Sequence, residues 1–212
     1  LYKENMKIEC VKEKLQESLS KANKIVGKNL TLPILSYIKL ETKEDILSII
    51  STNLDVGVEI KVKGKVSKEG STVVSGDVLY TLINNIQDSK ITLESNNQTL
   101  SVVSENTHTT IKTVSGEDFP SIPRVESKES FTIDVEQFLN GIRSVWYSAS
   151  ISSMKPELSS VFIYKKDNNI NFVDTDSFHL SEKKIHNKKS DYFSDILIPV
   201  KNITERLNDS DV

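Results

Sequence analysis

The sequence has a single cysteine, and no apolar run in it approaches the roughly 18 residues that a membrane-spanning helix needs. The lone Cys10 excludes an internal disulfide framework, makes a reducing environment the expectation, and is predicted to be a small buried residue of a strand. The N-terminus lacks the charged and apolar regions of a signal peptide. We therefore expect a cytoplasmic protein with no membrane association.

Glycine is also scarce, with seven residues, and none of them belongs to a glycine-rich phosphate-binding loop. His108 and His186 have no neighbouring nucleophile or acid that would complete a hydrolytic constellation. These absences favour a protein that needs no cofactor and has no catalytic activity of its own.

Excess basic charge is missing as well. The 27 Lys and Arg residues stand against 30 Asp and Glu residues, which gives a net charge of −3 at pH 7. This balance argues against a protein coated in basic residues, as a tight duplex binder would be. It does not exclude nucleic-acid binding, because what matters is whether Lys and Arg collect on one face.

What the sequence does contain is an internal repeat. Residues 33–62, moved forward by 123 positions, fall on residues 156–185 without a gap. The identical pairs are Pro33 and Pro156, Leu35 and Leu158, Ser36 and Ser159, and Thr52 and Thr175. A period of about 120 residues is too long for a solenoid repeat and indicates two copies of one domain-sized unit.

Each copy is predicted to consist of half-units in the order strand, helix, three strands. In the first copy, an apolar helical face is predicted from the spacing of Leu15, Leu19, Ala22 and Val26, with Gly27 as the helix C-cap. The second copy is predicted to open with a strand, SFTIDV, and to continue in a helix over residues 135–150 with Trp146 on its inward edge. The pattern predicts an α+β fold.

The domain boundaries follow from the same pattern. The polar, proline-containing segment EDFPSIPRVESKES is the best linker candidate, and Met6 is the expected true start. We therefore expect residues 1–5 to be extra, residues 6–124 to form domain 1, and residues 125–212 to form domain 2. By comparison with the first copy, the last three strands of domain 2 are missing, which would leave sheet edges to be covered.

Three segments carry a resemblance to a known family. They are TLPILSYIKLE after the first helix, GEDFPSIP at the domain junction and VDTDSFHLSEKKI in the second copy. In order and spacing they resemble the bacterial DNA polymerase III β subunit, the sliding clamp family. The resemblance implies tandem DNA-clamp domains with helices packed on antiparallel sheets. Family members have three such domains and pair into a homodimer ring around duplex DNA, so the third domain would be absent here.

The resemblance also implies that duplex DNA is bound without sequence readout. A ring that slides should contact phosphates through long basic side chains, because backbone contacts carry no sequence information. The implied DNA-binding residues are Lys24, Lys28, Asn29, Arg143 and Lys201. Asn29 stands where the family has arginine, and Asp77 stands where it often has a basic residue, so we expect weak, salt-sensitive binding.

The other implied partners are the replicative polymerase, the clamp loader and further proteins with a clamp-binding motif. In the family, a short peptide inserts apolar side chains into a pocket on the second domain, marked by Thr-Asp-Gly/Ser, an aromatic residue or His, Arg and Leu. The implied pocket residues are Leu158, Thr175, Ser177, Phe178, His179 and Leu180. His179 replaces the arginine of the motif, which bears on the polar contacts to the peptide.

One alternative keeps the fold and changes the function. A module of this fold that binds peptides without encircling DNA would carry the same pocket residues. A third domain in a longer parent chain would favour the ring, and its absence would favour the module.

A second alternative is a metal-dependent hydrolase. Asp174 and Asp176 are two positions apart on a predicted strand, hence on one face, and His179 follows closely. Loss of a metal-dependent activity in Asp176→Ala would support this hypothesis. The first copy has Ser51 and Asn53 at the paired positions, so no metal site is built into the repeat.

Overall fold

The computed structural model describes residues 5–26, 32–96, 98–123, 131–152, 154–187 and 193–203. The chain divides into two compact units, Leu1–Pro123 and Arg124–Val212, here termed unit 1 and unit 2. Gly27, Lys28 and Asn29, which were predicted to cap the first helix and to contact DNA, lie outside the described residues. Within the part of the chain that is described, no helix is long and apolar enough to cross a membrane.

Unit 1 is an antiparallel sheet closed on itself, with two helices packed against it. Its elements are β1 (Lys7–Val11), α1 (Lys12–Asn23), β2 (Tyr37–Lys43), β3 (Ile46–Thr52), β4 (Gly57–Lys68), β5 (Gly70–Ser75), α2 (Gly76–Asn85), β6 (Lys90–Ser95), β7 (Thr99–Val103) and β8 (His108–Val114). The strand order is β1-β4-β3-β2-β5-β8-β7-β6, and β6 pairs again with β1. The predicted order of strand, helix and three strands therefore occurs twice.

Burial in unit 1 follows the periodicities that the sequence predicts. Leu15, Leu19 and Ala22 form the buried face of α1, three and four residues apart. Alternate residues of each strand point into the same core, as the pleat of a strand requires. Cys10 is 4% exposed, and burial raises the pKa of its thiol to about 12. The prediction of a small buried cysteine is confirmed.

Unit 2 contains, in its described residues, a nine-residue helix, a helical stretch at residues 201–203 and a four-stranded antiparallel sheet. Its elements are α3 (Val135–Arg143), β9 (Ser160–Lys166), β10 (Asn169–Thr175), β11 (Leu180–His186) and β12 (Ile196–Pro199), and the strand order is β11-β10-β9-β12. Two short 3-10 helices, Trp146–Ser148 and Pro156–Ser159, connect α3 to β9. The core lies between α3 and the sheet, with Phe172 fully buried at its centre.

The internal repeat holds element by element. The 3-10 helices Pro33–Ser36 and Pro156–Ser159 lie 123 positions apart, and β2 and β3 recur as β9 and β10 at the same offset. Even the strained backbone recurs, because Leu54 has a φ of 76° and its counterpart Ser177 has a φ of 79°. The predicted α+β fold, with helices packed on antiparallel sheets, is confirmed.

The helix of unit 2 is shorter than predicted. α3 ends at Arg143 and not near residue 150. The hydroxyl of Ser144 donates a hydrogen bond back to the carbonyl of Asn140 at 2.7 Å, and Val145 leaves the helical region with a φ of −129°. Serine side chains compete in this way with continued helix formation, and β-branched valine gives the helix little support.

Two further predictions for unit 2 are wrong. Trp146 falls in the 3-10 helix after α3, and at 36% exposure it is not a core residue. The segment SFTIDV is not a strand where it is described. Its Thr132 carbonyl accepts a hydrogen bond from the Asn187 side chain at 3.0 Å. In unit 1 the corresponding strand β1 has ladder partners on both sides, β4 and β6, and the described residues of unit 2 include no counterpart of β6.

Gly141 allows α3 to lie directly on the sheet, and its replacement tests this packing. A Cβ atom at position 141 would lie 2.6 Å from the ring of Phe172. That ring is fully buried, so it has no free space into which it could shift. We expect Gly141→Ala to lower the free energy of unfolding of unit 2 by about 1–3 kcal/mol, despite the higher helix propensity of alanine. Denaturant titration followed by the fluorescence of Trp146, the only tryptophan, measures this unit.

Gln137→Ala is the matched control, because Gln137 lies on the exposed face of the same helix. We expect it to change the free energy of unfolding by less than about 0.5 kcal/mol. If Gly141→Ala were as stable as the wild type, the close approach of α3 to Phe172 would be contradicted.

Candidate partner-binding site

The chain passes from β10 to β11 through a turn that two side chains hold in place. Thr175 Oγ1 donates to the carbonyl of His179 at 2.5 Å and accepts from the amide of Ser177 at 3.1 Å. Asp176 Oδ1 accepts from the amides of Phe178 at 2.9 Å and of His179 at 2.6 Å. These bonds satisfy the backbone of the turn locally, so the turn needs no support from its exposed side chains.

Unit 1 contains the same turn, bond for bond. Thr52 Oγ1 donates to the carbonyl of Val56 at 2.9 Å and accepts from the amide of Leu54 at 3.0 Å. Asn53 Oδ1 accepts from the amides of Asp55 at 3.1 Å and of Val56 at 2.8 Å. The turn is therefore a structural part of the repeat, and differences between its two copies reveal what each unit adds to it.

The main difference is apolar exposure. In unit 2, Phe178 is 91% exposed and Leu180 is 72% exposed. The matching positions of unit 1 hold Asp55 and Gly57. Because the same turn forms without these apolar side chains, folding does not explain why unit 2 displays them. Exposed aromatic and leucine side chains on a rigid turn are typical of a surface that binds another molecule.

Leu158 is also more exposed than its counterpart in unit 1. Leu35 in unit 1 is 1% exposed, whereas Leu158 in unit 2 is only half-buried. The chain of unit 1 also covers the neighbouring position, because Ile122 packs so closely on Gly57 that an added Cβ would lie 2.7 Å from its side chain. Gly57, the residue of unit 1 that corresponds to Leu180, is therefore covered by the chain of its own unit.

Further exposed apolar residues lie on the segment before Leu158, and sequence reasoning missed them. Ile151 is fully exposed and Met154 is 89% exposed. The amide of Ser150 donates to the carbonyl of Leu158 at 2.7 Å, which ties this segment to the half-buried leucine. The sequence did contain a sign of this exposure. Ile151 and Met154 stand among serines and a lysine, in a segment where no helix or strand was predicted that could bury them.

His179 stands where the family motif has arginine, and Asp176 holds its side chain. The Nδ1 atom of His179 lies 2.9 Å from Asp176 Oδ2. The His179 side chain and the two backbone amides hold the pKa of Asp176 well below its usual range. The imidazole is thus positioned by the turn at the rim of the exposed apolar surface, and Asp176 has both carboxylate oxygens in use.

Asp174, unlike Asp176, is buried and has few hydrogen-bond partners. It is 2% exposed, Oδ1 accepts only from the adjacent amide of Thr175 at 2.9 Å, and Oδ2 has no hydrogen-bond partner among the described residues. Desolvation raises the pKa of Asp174 to about 6. Its ladder partner Ser181 bonds instead to Ser148, with 2.6 Å between the two hydroxyl oxygens. The carboxyl group therefore lies beneath the turn, buried and poorly satisfied.

The geometry gives no support to the hydrolase alternative. Asp176 does not share a strand face with Asp174, because β10 ends at Thr175 and Asp176 belongs to the turn. Asp174 is buried, and the carboxylate of Asp176 is occupied by His179 and the turn amides. Among the residues that the structure describes, no group of three or more His, Cys, Asp or Glu side chains is arranged to hold a metal ion.

The residues predicted to contact DNA lie on exposed helical positions where they are described. Lys24 follows the last residue of α1, Arg143 is in the last turn of α3, and Lys201 follows β12. All three side chains are exposed. Their positions suit contacts to phosphates, and nothing in the structure tests those contacts.

The helical surface of unit 1 is mixed in charge. On α1 the ammonium group of Lys21 bonds to Glu17 at 2.8 Å. In the first turn of α2, Asp77 accepts a hydrogen bond from the side chain of Asn23 at 2.8 Å. Acidic groups therefore accompany the lysines of this surface, and the expectation of weak binding stays a prediction.

Comparison with known proteins gives a consistent result. The family described as DNA polymerase III beta subunit, N-terminal domain, matches residues 6–123. The Beta sliding clamp of Chlamydia muridarum (strain MoPn / Nigg) is 24% identical over 202 residues, which cover 94% of this chain and 55% of that protein. The chain thus spans about half the length of the curated relatives that it matches.

Solved structures match over both units. The crystal structure of the DNA polymerase III beta subunit from Thermotoga maritima has a TM-score of 0.76 at 27% identity, covering 94% of this chain and 55% of that one. The DNA polymerase III subunit beta from Pseudomonas aeruginosa has a TM-score of 0.85 at 20% identity, with the same coverage. At that identity the second match establishes the fold.

The buried carboxyl group of Asp174 predicts how stability depends on pH. Its pKa of about 6 lies above the value near 3.9 of an unfolded chain, so the folded state binds the proton more tightly. The free energy of unfolding should then fall as pH rises from about 4 to about 6, and stay lowered above that. We expect Asp174→Ser, which introduces the residue of unit 1, to be more stable than the wild type at pH 7.5 by about 1–3 kcal/mol.

Denaturant titrations at pH 4.5, 6 and 7.5, followed by Trp146 fluorescence, measure this difference. We expect the gain from Asp174→Ser to shrink as pH falls. Glu136→Gln, an exposed carboxylate on α3, is the matched control and should show no such pH dependence. A variant less stable than the wild type at pH 7.5 would mean that the Asp174 carboxylate has a partner that stabilises its charge.

The two turns allow a reciprocal test of Asp176. Because its pKa is lowered in the folded state, its stabilising contribution is present above about pH 4 and is lost as pH falls further.

Asp176→Ala should speed hydrogen exchange at the amides of Phe178 and His179, as measured by NMR. Asn53→Ala should speed hydrogen exchange at the amides of Asp55 and Val56, and should leave exchange at Phe178 and His179 unchanged. Unchanged exchange in either turn would contradict the assigned hydrogen bonds.

Proposed function

Because the chain belongs to the DNA polymerase III beta subunit family, we propose that it forms part of a sliding clamp that holds a replicative DNA polymerase on its template. The observation that carries this proposal is the family match over residues 6–123, which is more than half of the chain. The continued structural similarity through unit 2 supports it. We propose residues 6–124 as the first clamp domain and residues 125–212 as part of the second.

The proposed function is topological and requires no catalysis by this chain. A closed ring leaves duplex DNA only by opening or by running off an end, so a polymerase attached to the ring stays on its template. In the proposed assembly, a homodimer ring of the full-length protein encloses the duplex. The fold suits this use because the closed sheet of unit 1 has no free edge among its described strands, and exposed residues at the helix ends are available to a sliding partner.

Contact with DNA is proposed to be sequence-independent and weak. Lys24, Arg143 and Lys201 are proposed to contact phosphates, together with Lys28 and Asn29 from the segment outside the described residues. Lysine and arginine on phosphate oxygens hold a duplex without reading bases, which permits sliding. The acids beside the α1 lysines keep this attraction small.

Unit 2 is proposed to bind the partner proteins. A short peptide from the polymerase, the clamp loader or another clamp-binding protein would place its apolar side chains against Leu158, Phe178 and Leu180. The turn residues Thr175 and Ser177 fix the backbone that presents this surface, and His179 supplies a polar group at its rim. A surface that is rigid before binding loses little conformational entropy on binding, which favours affinity for a short peptide.

Truncation of the exposed Leu180 and the half-buried Leu158 tests the proposal. We expect Leu158→Ala and Leu180→Ala each to weaken binding of a fluorescent peptide from the clamp-binding segment of a replicative polymerase by about tenfold or more, as for central interface residues. Fluorescence anisotropy measures the dissociation constant on this chain and on any longer parent chain.

Leu32→Ala is the matched control, since Leu32 is an exposed leucine of unit 1 far in sequence from the turn. It should leave the dissociation constant unchanged. Saturable binding that is insensitive to both unit 2 substitutions would move the peptide site elsewhere. Absence of binding to a folded parent chain would contradict the proposed role in tethering a polymerase.

A further inference from the structure

Unit 1 displays a row of lysines on the side of its sheet that faces away from α1. Lys61, Lys63 and Lys65 alternate along β4 with residues that point inward, and all three are exposed. The inward residue Val62 belongs to the core on which α1 packs. The lysine row is therefore separated by the sheet from the helical surface proposed to contact DNA.

Two acidic residues border the row directly: Glu9 is the ladder partner of Lys65, and Glu59 precedes Lys61 on the same face of β4. Glu9 on β1 pairs with Lys90 at 3.6 Å, and Glu59 accepts a hydrogen bond from Ser48 at 2.9 Å. Within the described part of unit 1, none of the three lysines of the row forms an ion pair. Three positive charges thus lie together on a protein whose net charge is −3.

The turn between β2 and β3 places two acidic side chains beside the row, because Glu44 and Asp45 line a surface pocket together with Lys63 and Lys65. Glu44 lies 3.9 Å from the ammonium group of Lys43, and Asp45 Oδ1 accepts from the backbone amide of Val66 at 3.0 Å. On β3 the outward residues opposite the row are Ile46 and Ser48, which carry no charge. On that side the row is therefore bordered by uncharged side chains on β3 and by two carboxylates at the turn.

From this arrangement we propose that Lys61, Lys63 and Lys65 form a second phosphate-binding surface, which takes the backbone of duplex DNA on the sheet face of unit 1. Alternate residues of a strand lie about 6.8 Å apart. Phosphates of one strand of a duplex are spaced by about 3.4 Å along the helix axis. Because the strand also winds around the axis, neighbouring phosphates are farther apart than this rise, so the lysines of the row can meet successive phosphates of one strand.

The chemistry of the surface favours a nucleic-acid backbone over an acidic protein segment. β4 pairs with β1 on one edge and with β3 on the other, so its backbone has no ladder edge to offer a peptide. The outward positions of the row carry point charges without arginine or an aromatic ring. Point charges suffice for phosphates, whereas a single strand would also require stacking platforms for its bases.

Replacement of the row by glutamine tests the proposal. The probe is a fluorescent 20-base-pair duplex of mixed sequence, and its binding is measured by anisotropy at several salt concentrations. We expect the triple variant Lys61→Gln, Lys63→Gln, Lys65→Gln to bind at least tenfold more weakly at low salt. The slope of log affinity against log salt should fall by about 2 to 3, because about 0.9 counterion is released per phosphate contact.

The matched control is Lys112→Gln, Lys155→Gln, Lys166→Gln, which changes the net charge equally at three exposed, scattered positions. It should alter affinity less than twofold and leave the slope unchanged. Equal effects of the two triple variants would overturn the proposal, since net charge alone would then explain binding. The proposal would also be overturned if Lys24→Gln abolished duplex binding while the row variant bound the duplex as the wild type does. All binding would then be assigned to the helical surface.

Two competition arms identify the partner. An unlabelled duplex should displace the probe from the wild type, whereas a polyglutamate of equal charge should not. Displacement by polyglutamate at equal concentration would overturn the choice of nucleic acid. The proposed phosphate-binding surface is independent of the peptide site, because the row variant should bind the polymerase peptide with unchanged affinity. If the test of duplex binding or the test of peptide binding fails, the other can still be interpreted.

Discussion

The hydrogen bonds that a threonine and its following Asx residue make to their own turn are the constraint on which both units depend. Thr52 and Asn53 in unit 1, and Thr175 and Asp176 in unit 2, fix the passage from the second strand of the repeat to the third. The turn sets the register of the two strands, because a slip by one residue would move every core side chain to the other face. Once the backbone is held in this way, the exposed positions of the turn are available for binding.

Duplication of the fold separates structure from function within a single chain. Where both units have the same residue type in the same bond, as at Thr52 and Thr175, folding accounts for it. Where unit 2 replaces a polar or small residue by a large apolar one, as at Phe178 and Leu180, folding does not. The same logic marks Asp174, because its counterpart Ser51 is buried and donates to the Ala22 carbonyl at 2.8 Å, whereas one oxygen of Asp174 has no partner among the described residues.

The repeat and the element order of unit 1 could be predicted from sequence, because matching residues recur at one offset and apolar residues recur at helix and strand periods. The end of α3 could not, since it depends on the Ser144 hydroxyl turning back on Asn140, a competition that apolar periodicity does not register. The burial of Asp174 was missed because alternation assigns a face to a residue without saying what covers that face. The exposure of Ile151 and Met154 was missed because they lie outside the helices and strands, where no sequence period indicates which side chains are buried.

In the proposed function both units contribute basic residues to DNA contacts, and only unit 2 contributes the apolar surface that binds a peptide. The lysines of unit 1 suit a partner with evenly spaced charge, and the exposed turn of unit 2 suits short apolar side chains. Mapping the polymerase peptide onto the isotopically labelled chain by NMR tests this account most directly. It predicts chemical-shift changes at Leu158 and at residues 175–180, with none in the matching turn at residues 52–56. Changes centred on the turn of unit 1, or an unperturbed spectrum at saturating peptide, would contradict it.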